Sequence, residues 1–258
     1  KRGSRPRKNN DSCYRRKAMS NFKTKLKENQ NLGTILALII LMVFVSVLNP
    51  TFLQANNLMN LMRQLIINGF IALGMTFVIL TGGIDLSVGS TLALTSAIFA
   101  GLLQNGVNTG LAILITVGLG LVLGLINGLL ITKGKLAPFI VTLATMTIFR
   151  GLTLVYTDGR PIAGPKDNFA FKFLGKGQFF GIPFQVILFI LAFLLLWIIL
   201  NKTALGRKIY AVGGNEKASY ISGINIDKVK ICVYVVSSLM AVLSGCLLYT
   251  SDAADEED

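Results

Sequence analysis

Apolar positions along this chain come in long unbroken blocks, not in the alternation of a half-buried strand or the one-sided stripe of a soluble helix. Residues 32–48 carry no charge, and further apolar blocks run over 65–80, 86–103, 110–132, 137–156, 184–200 and 231–248. A helix needs about 20 residues to cross a bilayer, with a range of about 17–25. The pattern therefore predicts an all-α polytopic membrane bundle of about seven helices. The first block follows Lys23, Lys25 and Lys27, as the apolar part of a secretory signal does. It is long for such a segment, and Leu48-Asn49-Pro50-Thr51 lacks a small-x-small cleavage site. It reads as an uncleaved first span.

Composition agrees with the blocks. Of 258 residues 53% are apolar and 14% charged, against about 25% charged in a soluble domain, which excludes a water-soluble globule. The length allows one membrane domain and leaves no room for a nucleotide-hydrolysing domain beside it, so any energy supply must come from a partner. Enzymatic signatures are missing. Histidine is absent, so there is no HExxH; no GxSxG occurs; and neither Gly134-Lys135 nor Gly175-Lys176 is followed by the Ser or Thr of a P-loop. Three cysteines without histidine make no metal cluster. Cys232 and Cys246 lie about 21 Å apart if they share one helix, too far for a disulfide.

The net charge of +13 locates the loops. Residues 1–18 hold eight Lys/Arg and one Asp and residues 249–258 hold five acids, which leaves +11 on 19–248. These cations sit between apolar blocks, as in the cytoplasmic loops of a membrane protein, and this arrangement argues against nucleic-acid binding. With the amino terminus inside, the inner segments from Met19 onward carry 11 Lys/Arg (Lys23, Lys25, Lys27, Lys133, Lys135, Lys202, Arg207, Lys208, Lys217, Lys228, Lys230). The outer segments carry 5 (Arg63, Arg160, Lys166, Lys172, Lys176). A cytoplasmic amino terminus follows.

The glycine- and proline-rich stretch 157–183 reads as an irregular external loop with a short interfacial helix. The stretch 201–230 is the longest internal loop, mixing charge with Ile209, Tyr210, Val212, Tyr220, Ile221, Ile224 and Ile226. A surface patterned in this way suggests a docked partner. The ends look foreign to the membrane domain at 19–248. Residues 1–18 precede a plausible initiator, Met19, and read as a non-native upstream tail; 249–258 read as an artefactual acidic tail on a truncated natural protein.

Few residues carry chemistry. The turn Thr81-Gly82-Gly83-Ile84-Asp85-Leu86-Ser87 holds the only acid between Glu28 and Asp158. Two readings stand for Asp85, with Gly82 and Gly83 beside it. It is either a helix cap in a cytoplasmic turn or part of a translocation pathway or gate, since non-helical backbone and a carboxylate at membrane depth are tolerated only around a protein-lined path. Gly120, Gly124 and Gly128 form a small-residue face that lets helices approach closely, and Asn127 beside them faces either a neighbouring helix or a pore. Arg150, about 18 Å along its span if the helix starts at Pro138, either snorkels to the external interface or faces a polar solute. The hydroxyls of Thr142, Thr145, Thr147 and Thr153 either bond back into their own helix or serve a polyol.

Three blocks carry a resemblance: GMTFVILTGGIDLSVGS (74–90), APFIVTLATMTIFRGLTLVYTDGRPI (137–162) and NKTALGRKIYAVGGNEKASYISGINIDKVK (201–230). Together they resemble the permease subunit of bacterial ABC sugar importers, nearest to the ribose permeases, over Met19 to about Gly245. The resemblance implies a permease in the bacterial cytoplasmic membrane that moves ribose or a similar monosaccharide by alternating access. It implies a second permease chain, taken as an identical copy, a sugar-binding protein outside the cell, and a cytoplasmic ATPase that holds ATP and Mg. No cofactor is implied for this chain.

The loop matching 201–230 would be the coupling element, carried over onto Gly206, Arg207, Gly213, Gly214, Asn215, Glu216, Ala218 and Gly223. Residues 216–223 are similar to a loosened EAA-x3-G motif, with Lys217 at its second position and the glycine one residue late. The residues themselves agree: glycines would delimit a short helix that Asn215 caps and Glu216 opens. The rivals are an ion-gradient-driven secondary transporter, which calls for paired intramembrane acids where this chain has Asp85 alone, a membrane-embedded enzyme, and a non-functional truncated fragment.

Overall fold

The structure, a computed structural model, describes residues 30–160, 162, 175, 177–179 and 182–255. The upstream tail 1–18 and most of the external loop 157–183 lie outside these residues. The chain divides into two units between Leu58 and Met59. In the first, helix α1 (Gln30–Leu48) leads into a 3-10 turn (Pro50–Leu53). Proline opens that turn, and Asn49 caps it by accepting from the Thr51 amide at 3.1 Å and from its hydroxyl at 2.5 Å.

Helix α2 (Ala55–Leu80) begins at the end of the first unit and continues into the second. There α3 (Val88–Gln104), α4 (Thr109–Thr132), α5 (Pro138–Thr157), α6 (Phe184–Lys202), α7 (Ala204–Gly214), α8 (Glu216–Ile221) and α9 (Ile226–Asp255) follow. A two-residue antiparallel pair, β1 (Gln178–Phe179) and β2 (Ile182–Pro183), precedes α6. Among the described residues, five helices are long and apolar enough to cross a membrane: Asn57–Leu80, Thr109–Thr132, Pro138–Thr157, Phe184–Lys202 and Ile226–Leu248. Gly33–Leu48 and Val88–Gln104 are shorter apolar helices.

Two elements outrun their apolar blocks. Helix α2 starts ten residues before the block at 65–80, because Asn56, Asn57, Asn60, Arg63 and Gln64 continue the helix in polar turns that an apolar run does not register. Arg63, expected in an outer loop, is instead a buried helical residue whose Nη1 donates to Asn60 Oδ1 at 3.1 Å. Helix α9 likewise starts at Ile226, five residues before its block, and continues to Asp255.

The second unit is organised around α9. Added Cβ atoms show how closely α4 approaches it. On Gly128 one would lie 2.8 Å from Ile231 Cα, on Gly124 2.8 Å from Val235 Cα, and on Gly120 one would run into the Val242 side chain. Falling numbers against rising ones make the pair antiparallel. Helix α2 also runs antiparallel to α9: Gly74 abuts Ser237 and Met240, and the Ser244 hydroxyl donates to Ile67 O at 2.7 Å. Helix α3 runs parallel to α9, with Gly245 beside Leu92 and Ser96. Lipid tails are as apolar as leucine, so apolarity alone does not hold such helices together; close packing of small residues and interhelical hydrogen bonds do. The remaining core is Phe70, Phe77 and Val78 of α2 against Val233 and Tyr234 of α9, with Ile209 and Val212 of α7 closing one end.

Candidate gate and coupling surface

The α2–α3 connection is only partly on the surface: Gly82 and Ile84 are exposed, whereas Thr81, Gly83, Asp85 and Ser87 are buried. After Leu80 the chain turns at Gly82, whose φ of +73° suits glycine, and re-enters the bundle. Asp85 and Ser87 are almost fully buried. Asp85 Oδ1 accepts from the Ser87 amide at 3.0 Å and the Ser87 hydroxyl at 2.6 Å, and Oδ2 accepts from the Ser237 hydroxyl of α9 at 3.0 Å. Ser87 Oγ in turn accepts from Asn127 Nδ2 of α4 at 2.8 Å. Tyr234 of α9 donates its hydroxyl to Ile84 O at 3.2 Å, and Thr142 of α5 reaches the same carbonyl at 3.4 Å.

This turn therefore ties α3, α4, α5 and α9 together. Ser237 lies seven residues beyond Lys230, so the knot sits about 10 Å along α9 from its charged end. A carboxylate at that depth is costly unless its lone pairs are met; here three donors meet it, and the amino-terminal end of α3 favours its charge. Asp85 takes the Ser87 amide as a cap does, and it is buried among helices. Gly83 has no room for a side chain, since a Cβ would lie 2.8 Å from the Tyr234 hydroxyl.

The remaining candidates are distributed differently. Asn127 faces the Ser87 knot, with its Oδ1 unsatisfied among the described residues. Thr145 is buried and donates back to Val141 O at 3.0 Å. Thr142, Thr147 and Thr153 also bond into α5, to Pro138 O, Leu143 O and Phe149 O. Arg150 is exposed on α5 and takes no part in the knot.

The loop 201–230 folds into the helix pair α7 and α8. Thr203 caps α7, its hydroxyl accepting from the Gly206 amide at 3.4 Å. Asn215 serves both helices: its amide donates to Ala211 O, and its Oδ1 accepts from the Ala218 amide at 3.0 Å. Glu216, in the first turn of α8, pairs with Lys230 at 2.8 Å. Gly223 ends the pair with φ +80°.

Gly213 and Gly214 are the last residues of α7, directly before the cap Asn215 of α8, and Gly206 lies in the first turn of α7. Gly206 and Gly213 also sit at backbone contacts: a Cβ would run into Leu200 O from Gly206 and into Leu80 O from Gly213. Gly214 and Arg207 are open to solvent, and Tyr220 and Ile221 are 73% and 85% exposed. Sequence reasoning did not single out Tyr234, Ser237, Ser238 and Ser244, which supply α9's share of the network. Their signal was available as small or hydroxylated residues recurring every three or four positions along one span.

An apolar exterior around a buried polar knot, with long apolar helices, defines a multi-pass helical membrane bundle. Residues 57–255 match the family described as branched-chain amino acid transport system / permease component, and the chain belongs to that family. It is 58% identical to the ribose import permease protein RbsC of Bacillus subtilis (strain 168) over 219 residues, 85% of this chain and 68% of the relative. The Haemophilus influenzae ribose import permease protein RbsC is 47% identical, covering 83% of this chain and 67% of the relative. The D-allose transport system permease protein AlsC of Escherichia coli (strain K12) is 39% identical, covering 83% and 65%. The chain thus spans about two thirds of the length of these relatives. No solved structure gives a match.

Proposed function

We propose that this chain is the membrane-spanning subunit of an ATP-driven importer for ribose or a similar monosaccharide in the bacterial cytoplasmic membrane, with its amino terminus inside. Two copies would form the path, a sugar-binding protein would deliver the solute outside, and a separate cytoplasmic ATPase would hold ATP and Mg. The observation that carries the energy source is the α7–α8 pair. Two short helices share the cap Asn215 and present Tyr220 and Ile221 almost fully to solvent. An exposed apolar patch of this kind on short helices fits the groove of a partner that moves as a rigid body. The ribose-import relatives support the substrate.

The buried turn carrying Gly82, Gly83 and Asp85, with Asn127, is the gate element in this reading. The sugar undergoes no covalent change; it is passed on as the bundle alternates between two openings. An ion-coupled carrier is less well supported, because among the described residues Asp85 has no second acid in the knot.

The test is uptake of radiolabelled ribose into vesicles holding this chain with an ATPase and a sugar-binding protein. Uptake that stops when ATP is withdrawn, and falls at least about tenfold with Ile221→Asp, is the expected result. Uptake that persists without the ATPase and collapses with the proton or sodium gradient would overturn the proposal.

A further inference from the structure

Two observations at opposite ends of one short stretch of chain point to a linkage between the solvent-facing helix pair and the buried knot. The first is the seat of α7. Ile209 and Val212 are buried in the core, and Gly213 rests on the carbonyl end of α2, where a Cβ would strike Leu80 O. Helix α7 thus bears on the last turn of α2 through backbone, with no flexible side chain between them.

The second is the anchorage of the residues just beyond that last turn. The Thr81 amide and the Gly83 amide both donate to Val78 O, at 3.1 and 3.0 Å, and the Thr81 hydroxyl donates to the same oxygen at 2.8 Å. This fastens residues 81–83 to the end of α2. Only two residues separate Gly83 from Leu86, and between them Ile84 O and the Asp85 carboxylate accept from Tyr234 and Ser237 of α9. The Gly82 amide donates to Ile79 O at 2.9 Å, so the whole of 81–83 moves with the end of α2.

We propose that Gly213 and Asp85 are the two ends of a single mechanical linkage. A displacement of α7 is delivered to the end of α2, is carried by the fastened residues 81–83, and is spent on the Asp85 hydrogen bonds that hold α3 against α9 and, through Ser87, against α4. Asp85 is then a positioning residue. It touches no solute; it sets whether α3 and α4 are docked on α9. The linkage rests on the reading of α7–α8 as the surface on which an ATPase acts, but its geometry can be tested without one.

The experiment is amide hydrogen exchange on the full chain in lipid nanodiscs, comparing the parent with Gly213→Ala and with Asp85→Asn. Coupling between sites is reciprocal. Gly213→Ala is expected to raise exchange about tenfold at the amides of residues 85–91, which it does not touch. Asp85→Asn, which keeps an acceptor for Ser87 and so spares the fold, is expected to do the same over residues 204–214. Exchange that rises only around the substituted residue, in both variants, would overturn the linkage.

With an ATPase added, ATP consumed per ribose taken up should rise about tenfold in Gly213→Ala. An unchanged ratio would contradict the linkage. Failure of the parent chain to retain any ATPase would instead remove the docking reading, and the exchange result would stand by itself.

Discussion

Of the five long apolar helices among the described residues, α6 and α9 are two of the three most apolar, yet 61% of α9's apolar stretch is buried and only 11% of α6's. The difference lies in residue size, not in hydropathy. Helix α9 carries Ser237, Ser238, Ser244 and Gly245 and faces glycines of α2 and α4, so backbones meet within contact distance. Helix α6 has no glycine or serine, and Ile187, Ile190, Leu191, Leu194, Leu195, Trp197 and Ile198 are exposed while Leu196 is buried. It reaches α2 mainly through Phe189, which stands edge-on to Phe70 at 5.5 Å and covers Gly69. In a bilayer an outward leucine is already in its preferred solvent, so position in the bundle is decided by what permits close approach.

That contrast can be broken at its strongest point. Gly124→Leu drives a side chain into Val235 and Ser238 backbone and side-chain atoms 2.8 Å away. It should cost about 3 kcal/mol or more, read as loss of the folded species in thermal unfolding on detergent-solubilised protein. Ser237→Ala should cost about 1–3 kcal/mol in the same assay, because it leaves Asp85 Oδ2 without its donor. Tyr234→Phe removes only the bond to Ile84 O and should cost about 1 kcal/mol.

At the other end of the comparison, Leu191→Ala on the exposed face of α6 should change stability by no more than about 0.5 kcal/mol. Lys133→Ala breaks an ion pair with Asp227 in which both side chains are largely exposed. It should be similarly small and should vanish at high salt. A large effect at Leu191 would mean that α6 packs against protein, and the contrast would fail.

The same physics decides how much could be read from the chain. Apolar blocks mark spans because burial of backbone in lipid demands helices, and each of the seven blocks coincides with an apolar helix. They do not mark where helices begin, since polar turns such as 55–64 of α2 continue the same hydrogen-bond ladder unseen. The spacing of Gly120, Gly124 and Gly128 displayed a close-packing face, but the helix it meets lies more than a hundred residues away in sequence. Asp85 stood out as a lone acid. That its turn folds inward depends on Ser237, Tyr234 and Asn127 arriving from two other helices, which no local pattern encodes. Gly213 does sit at a helix boundary, one residue before the end of α7, but only its contact with Leu80 shows that it is also needed for close approach.

The central claim is that the turn after α2 is a structural knot held by Asp85, and a double-mutant cycle tests it most directly. Asp85→Ala, Ser237→Ala and the double variant would be compared by thermal unfolding in one lipid composition. The account predicts that the two effects do not add, with a coupling of about 1–3 kcal/mol, because each variant removes the same hydrogen bond. Effects that sum to within about 0.3 kcal/mol would show that the carboxylate and the α9 hydroxyl act independently, and would contradict it.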